Sequence, residues 1–329
     1  MFTRPADVDD ADVVDALCEG WGLDVGGVDY LAVGFGSHHW LATTASASWF
    51  VTVDDLVARR HEIDESLLAT RERLVAALTT AAALRDAGFE FVVAPVRTKE
   101  DRIAASIGDR YVVTVYPNLD GETHDYGNYS DATHRDSVVR HLATLHCAPT
   151  SCRRWALTDT LAIPRRAELH AACSQLEDAW ASGPFAEPAR CVLAQHADAL
   201  AHAFGKYDAM VAAVSSQRSR FVLTHGEPHP ANTITIDHQV VLVDWDTALI
   251  APPERDLWDL VGEDPSVAVQ YEELAGIVVD HDAIDMYRLA WDLSEIALYI
   301  SDFRQPHDQT DDTREAWTNL QHFLDPTRW

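Results

Sequence analysis

Residues Phe221 to Leu260 read FVLTHGEPHPANTITIDHQVVLVDWDTALIAPPERDLWDL, and the fold is decided by this stretch. A short apolar run, Phe221-Val222-Leu223, leads into the loop His225 to Asn232, whose Pro228 and Pro230 exclude a helix interior. Two β-branched segments follow, Thr233 to Ile236 and Val240 to Val243, joined by Asp237-His238-Gln239. That pattern predicts a hairpin with a three-residue connection. Centred on His238, the hairpin would set Asn232 opposite Asp244, roughly 5 Å apart across an antiparallel pair. A carboxamide and a carboxylate so placed can bind a hard divalent ion through oxygen, and Glu227 stands beside them on the loop.

The order Glu227, Asn232, Asp244 resembles the core of the protein-kinase-like phosphotransferases, with a loop carboxylate, an Asn five residues later and an Asp beyond a hairpin. The stretches Asp244-Trp245-Asp246 and Ala251-Pro252-Pro253-Glu254-Arg255-Asp256-Leu257 make the chain similar to the aminoglycoside phosphotransferases, closest to the spectinomycin-phosphotransferase-like branch. The resemblance implies an α+β fold of two lobes: a small, mainly antiparallel sheet with one long helix over 1–117, and a larger, mainly helical lobe over 118–329. A helical region at about 153–216 would wall the substrate site. It further implies ATP or another nucleoside triphosphate, Mg2+ on Asn232 and Asp244, Glu227 orienting the acceptor hydroxyl, and antibiotic modification as the biological setting.

Read in order, Asp9 to Trp21 is an amphipathic helix with an acidic first turn. Tyr30 to Val33, His39 to Thr43 and Trp49 to Val53 have strand character, with the turn Gly34-Phe35-Gly36-Ser37 between the first two. By resemblance Gly34, Gly36, Ser37 and His38 lie over nucleotide phosphates; as an isolated hairpin turn they would be structural only. Glu62 to Ala87 is a long helix ended by Gly88, and Phe91 to Pro95, Arg102 to Ile107 and Tyr111 to Tyr116 complete the sheet of this lobe. Pro117-Asn118-Leu119-Asp120-Gly121 reads as the hinge that would meet an adenine edge. Further helices are expected over Asp131 to Cys147, Pro164 to Ser216 with a break at Gly183-Pro184, Ala283 to Ile300 and Thr313 to Leu324.

Two positions depart from the family. Thr52 stands where the third strand would carry a phosphate-holding lysine, and the only lysines, Lys99 and Lys206, are distant in sequence. His38, His39, Arg59 and Arg60 are the substitute cations nearest in sequence, each an ordinary surface residue in the plainer reading. Glu65 and Glu72 are candidates for the glutamate that would pair with such a lysine. At the loop, Glu227 replaces an aspartate and lengthens the carboxylate stem by one methylene. Two readings therefore stay open: an ATP-dependent phosphotransferase acting on a small cationic or polyhydroxylated molecule, and a kinase-fold pseudoenzyme that binds nucleotide or a small molecule without transfer or with altered chemistry.

The 329 residues include 47% hydrophobic positions, enough for a core in each lobe. A formal net charge of -28 disfavours nucleic acid and anionic membrane as partners, and the sequence shows no obligate protein partner. The opening MFTRPADVDDADVV lacks the basic-then-apolar form of a signal peptide, so a cytoplasmic protein with five reduced cysteines is expected. Zinc readings are weak. Cys147 and Cys152 with His141 and His146 fit no standard ligand spacing, and the prolines around His225 and His229 forbid the helix that would bring both to one metal.

Overall fold

The computed structural model describes residues 1–34 and 36–329; Phe35 of the glycine turn lies outside the described residues. Helix α1 (Asp10–Trp21) starts at a capping box in which the Asp9 and Asp12 side chains each accept from the other's backbone N–H. Strands β1 (Val25–Leu31), β2 (His38–Thr44) and β3 (Ser48–Asp55) then run as an antiparallel meander. Helix α2 (Leu67–Asp86), capped by Ser66, precedes β4 (Ala105–Ile107) and β5 (Tyr111–Pro117). The sheet order is β1-β2-β3-β5-β4, so β3, which carries Thr52, is central. One correction concerns Phe91 to Pro95. That segment is not a strand of this sheet, because Val92 forms an isolated parallel bridge with Leu242 in the other lobe, and Val93 N–H donates to the Leu242 carbonyl.

Beyond the short β6 (Glu122–Thr123) come α3 (Ala132–His146), α4 (Arg166–Cys173) and α5 (Ala186–Ser215). The functional stretch contributes β7 (Val222–Thr224), β8 (Thr233–Ile236), β9 (Gln239–Leu242) and β10 (Leu249–Ala251), and α6 (Trp258–Glu263), α7 (Ser266–Ala275), α8 (His281–Phe303) and α9 (Asp311–Phe323) complete the chain. Among the described residues no helix is long and apolar enough to cross a membrane.

Burial explains how the lobes hold their relation. One face of the sheet packs Trp40, Val51, Val53 and Val113 against Val13 and Leu17 of α1. Helix α2 is buried on two sides: Leu74 and Leu78 meet Leu56 and Val112 of the small lobe, while Ala77, Ala81 and Leu84 enter the core built on Val138 and Leu142 of α3. Alanine on the second face lets α2 lie close against the helical lobe. Helices α4, α5, α8 and α9 share a separate core around Leu169, Leu193, Phe204, Leu293 and Leu320.

Candidate active site

The loop after β7 is held by a buried carboxylate. Asp256 Oδ2 accepts the His225 N–H at 2.8 Å, and Oδ1 accepts the Gly226 N–H at 2.6 Å. Burial alone would raise the pKa of Asp256, but the hydrogen bond and charge of His146, 3.0 Å away, bring it below the ordinary carboxylate value. The buried His225 ring is committed on both sides. Nδ1 accepts the Glu227 N–H at 3.2 Å, so Nε2 carries the proton and donates to the Val243 carbonyl at 2.8 Å, and burial keeps the ring neutral. Tyr129 Oη braces the loop further by donating to the Pro228 carbonyl at 2.7 Å. These contacts leave His225 nothing for a metal. His146 and His141 are likewise spent, on Asp256 and Tyr271 and on the Val240 carbonyl.

The hairpin differs from expectation by one residue. Asp237 and His238 both have positive φ (48° and 65°), which makes a two-residue turn with Ile236 paired to Gln239 and Thr233 to Leu242. Asn232 therefore faces Val243, whose N–H donates to the Asn232 carbonyl at 3.0 Å, and Asp244 comes one residue later. Asp244 itself has φ of 61°, and this left-handed residue turns the chain out of the ladder. Asn232 Nδ2 donates to the Glu227 carbonyl at 3.0 Å, which leaves Oδ1 as the atom that can face a cation. The Glu227 carboxylate lies 3.8 Å from His229 Nε2.

Asp244 is open to the cleft yet deeply surrounded. Its pKa is raised well above the carboxylate range, first by the enclosing protein and then by the charges of Asp246 and Glu227, while Arg59 opposes the rise. Among the described residues no three His, Cys, Asp or Glu side chains form a ready metal cage. Magnesium needs none, since it binds through one or two protein oxygens plus water and phosphate, and crowded carboxylates with an oriented Asn oxygen fit it.

On the opposite wall, Thr52 pairs with His39 on β2 and Thr114 on β5, its hydroxyl 3.5 Å from His39 Nδ1. Gly34 and Gly36 have φ of 68° and 96°, and Ser37 Oγ donates to Asp54 Oδ1 at 2.8 Å. His38 hydrogen-bonds Tyr30 at 3.2 Å. Burial and neighbouring positive charge lower the pKa of His39 to about 3, so it is neutral. Asn118 is spent on the start of β3, its Nδ2 donating to Ser48 Oγ at 3.0 Å. Arg59, by contrast, enters the cleft. Its Nε donates to Asp54 Oδ1 at 2.7 Å, and Nη2 to Ser37 Oγ at 2.8 Å and to Asp246. Glu65 pairs with Arg73, and Arg73 Nη2 donates to the Arg59 carbonyl at 2.6 Å; Glu72 is exposed.

Beside Glu227 opens a pocket lined also by Tyr126, His229, Trp258, Asp259 and Trp291. Nothing in the spacing around Asp259 marks it as a lining residue of this pocket. Trp291 could have been found only as an aromatic on an amphipathic helix, a pattern shared by ordinary core positions. Glu295, one turn further along α8, has its pKa raised to about 7 by burial and then by Glu227 and Asp292.

A glycine turn over a cleft, with a loop carboxylate, an asparagine and an aspartate at the cleft floor, defines the class of two-lobed kinase-like phosphotransferases. The chain belongs to the Phosphotransferase enzyme family (APH), which matches residues 40–290. Protein StrN of Streptomyces griseus is 26% identical over 258 residues, covering 74% of this chain and 75% of StrN. The fold is that of spectinomycin phosphotransferase APH(9)-Ia, whose complex with ADP and spectinomycin aligns over 98% of this chain and 100% of its own at 17% identity and a TM-score of 0.73. Amicoumacin kinase hAmiN, solved in complex with AMP-PNP, Ca2+ and Ami, aligns over 97% of this chain and 94% of its own at 11% identity and a TM-score of 0.62.

Proposed function

We propose that this protein is a small-molecule kinase that moves the terminal phosphoryl group of ATP to a hydroxyl of a cationic or polyhydroxylated acceptor, aminocyclitol-like in size and charge. The observation that carries the reading is the position of Glu227, which stands next to Asn232 and Asp244 and also lines the pocket of Tyr126, Trp258, Asp259 and Trp291. A hydroxyl held there would give its proton to the Glu227 carboxylate as it attacks phosphorus. Asp259 and the aromatic rings suit the charge and the apolar face of an amine-bearing ring. Asn232 Oδ1 and Asp244 would hold a magnesium ion, which when bound neutralises charge on the phosphates. In this reading the lobes divide at 117/118, the hinge backbone near Asn118 meets the base, and the helices of 153–216 support the acceptor wall from behind α8, against which α4 and α5 pack.

The second reading, a nucleotide-binding pseudoenzyme, is favoured by one observation, the neutral Thr52 on the central strand. Incubating the protein with ATP, magnesium and a panel of aminocyclitols and related amino sugars, and following acceptor mass, separates the two. Transfer supports the kinase. A blank panel with calorimetrically confirmed nucleotide binding supports the pseudoenzyme, and no nucleotide binding by folded protein sinks both.

A further inference from the structure

A triphosphate entering this cleft meets Asp244, Asp246 and Glu227, an arrangement that repels it unless a cation stands among them. Thr52 is neutral and His39 is held neutral by burial. His38 is bound to Tyr30, and Arg60 Nη1 donates to the Ile63 carbonyl at 3.1 Å. Arg59 is left. Its guanidinium reaches Asp246 from the small lobe and acts on the charge of Asp244. Three features hold it there: Asp54, only 2% exposed; Ser37 of the glycine turn; and Arg73, which fixes the Arg59 backbone. Among the described residues Nη1 has no protein acceptor, so one arm of the fork remains for a phosphate oxygen. A buried carboxylate and arginine are seldom worth more to stability than apolar residues of the same volume, so the pair needs a reason other than folding.

We propose that Arg59 is the phosphate-binding cation of this site, presented by Asp54 and Ser37 in place of a lysine at position 52. This rests on the kinase reading only as far as nucleotide binding. It makes Arg59, beyond the end of β3, part of the nucleotide site, and it links the glycine turn to Asp246 through one side chain.

The test is calorimetric titration of the full chain with MgATP, MgADP and adenosine. Arg59→Gln keeps a hydrogen-bond donor for Asp54 while removing the charge. It should weaken both phosphorylated ligands roughly ten- to a hundredfold, the worth of one charge-assisted contact, and leave adenosine unchanged. Arg59→Lys should fall between the two. Adding Thr52→Lys to Arg59→Gln should recover affinity for MgATP, whereas Thr52→Lys in the native background should gain little. MgATP binding that is unchanged or tighter in Arg59→Gln would overturn the proposal and leave Arg59 as a latch between the lobes. An equal loss of adenosine would also overturn it, by making the residue structural. A native protein that binds adenosine but not MgATP better would overturn this inference alone, while one that binds no nucleotide overturns the kinase reading with it.

Discussion

His146 Nε2 on α3 lies 3.0 Å from Asp256 Oδ2, and both side chains are fully buried. The same carboxylate receives the backbone N–H groups of His225 and Gly226, so a helix of the lobe interior sets the position of the loop that carries Glu227. Asp256→Ala leaves two buried N–H groups and an imidazole without their acceptor. A loss of about 3–5 kcal/mol is expected in denaturant unfolding, against about 1–3 kcal/mol for Asp256→Asn, which keeps one acceptor. Because the folded pKa of Asp256 is depressed, its contribution is present above the ordinary carboxylate range and disappears as pH falls through the folded value. Acid unfolding of Asp256→Asn should therefore be less pH-dependent than that of the native protein.

Gly226 has φ of 112°, and a Cβ there would stand 2.5 Å from both Arg255 Nη1 and Thr247 Oγ1. Gly226→Ala combines backbone strain of about 1–3 kcal/mol with this overlap. Its expected signature is a lowered unfolding midpoint with loss of phosphate transfer, since the displaced residue adjoins Glu227. Native stability in this variant would show that the loop is freer than its contacts indicate.

Glu227 is expected to separate chemistry from nucleotide binding. Glu227→Ala should bind MgATP as the native protein does while transfer falls about 10²- to 10⁴-fold. Glu227→Asp keeps the charge but withdraws it by about an ångström, and a loss on the order of a hundredfold in kcat follows if the loop is built for the longer side chain. A Glu227→Asp variant as fast as the native protein would show that the methylene is immaterial.

In the kinase reading, Glu295 is expected to couple acceptor binding to protons. Its folded pKa of about 7 lies above the unfolded value, so the folded state holds the extra proton between the two and stability declines as pH rises through that window. One such group gives a slope of at most about 1.4 kcal/mol per pH unit, and Glu295→Gln should flatten it. A cation bound beside Glu227 and Asp259 would lower this pKa. Acceptor binding near pH 7 should then release a proton, measurable as a dependence of calorimetric enthalpy on buffer ionisation, and absent in Glu295→Gln.

The loop and hairpin were legible because their chemistry is local. Glu227, Asn232 and Asp244 are spaced along one continuous segment, and two prolines and a run of β-branched residues state its backbone. The one-residue slip at Asp237-His238 came from φ values that neither residue announces, since Asp and His adopt the left-handed region less freely than Gly. Phe91 to Pro95 misled for a related reason: apolar, β-branched composition serves one bridge to Leu242 as well as it serves a strand.

The sequence by itself determined the two-lobed class, the loop carboxylate with its Asn and Asp, and the absence of lysine at position 52, because each depends on residue type and spacing along the chain. Tertiary structure alone decided which side chains meet in the cleft and in the pocket beside Glu227. Arg59 and Asp246 are 187 residues apart, and Glu227 shares its pocket with Tyr126 and Trp291 from distant parts of the chain. Those pairings exist only once α2 is buried against both lobes, since the cost of desolvating an arginine or a carboxylate is met by whichever opposite charge folding brings within reach.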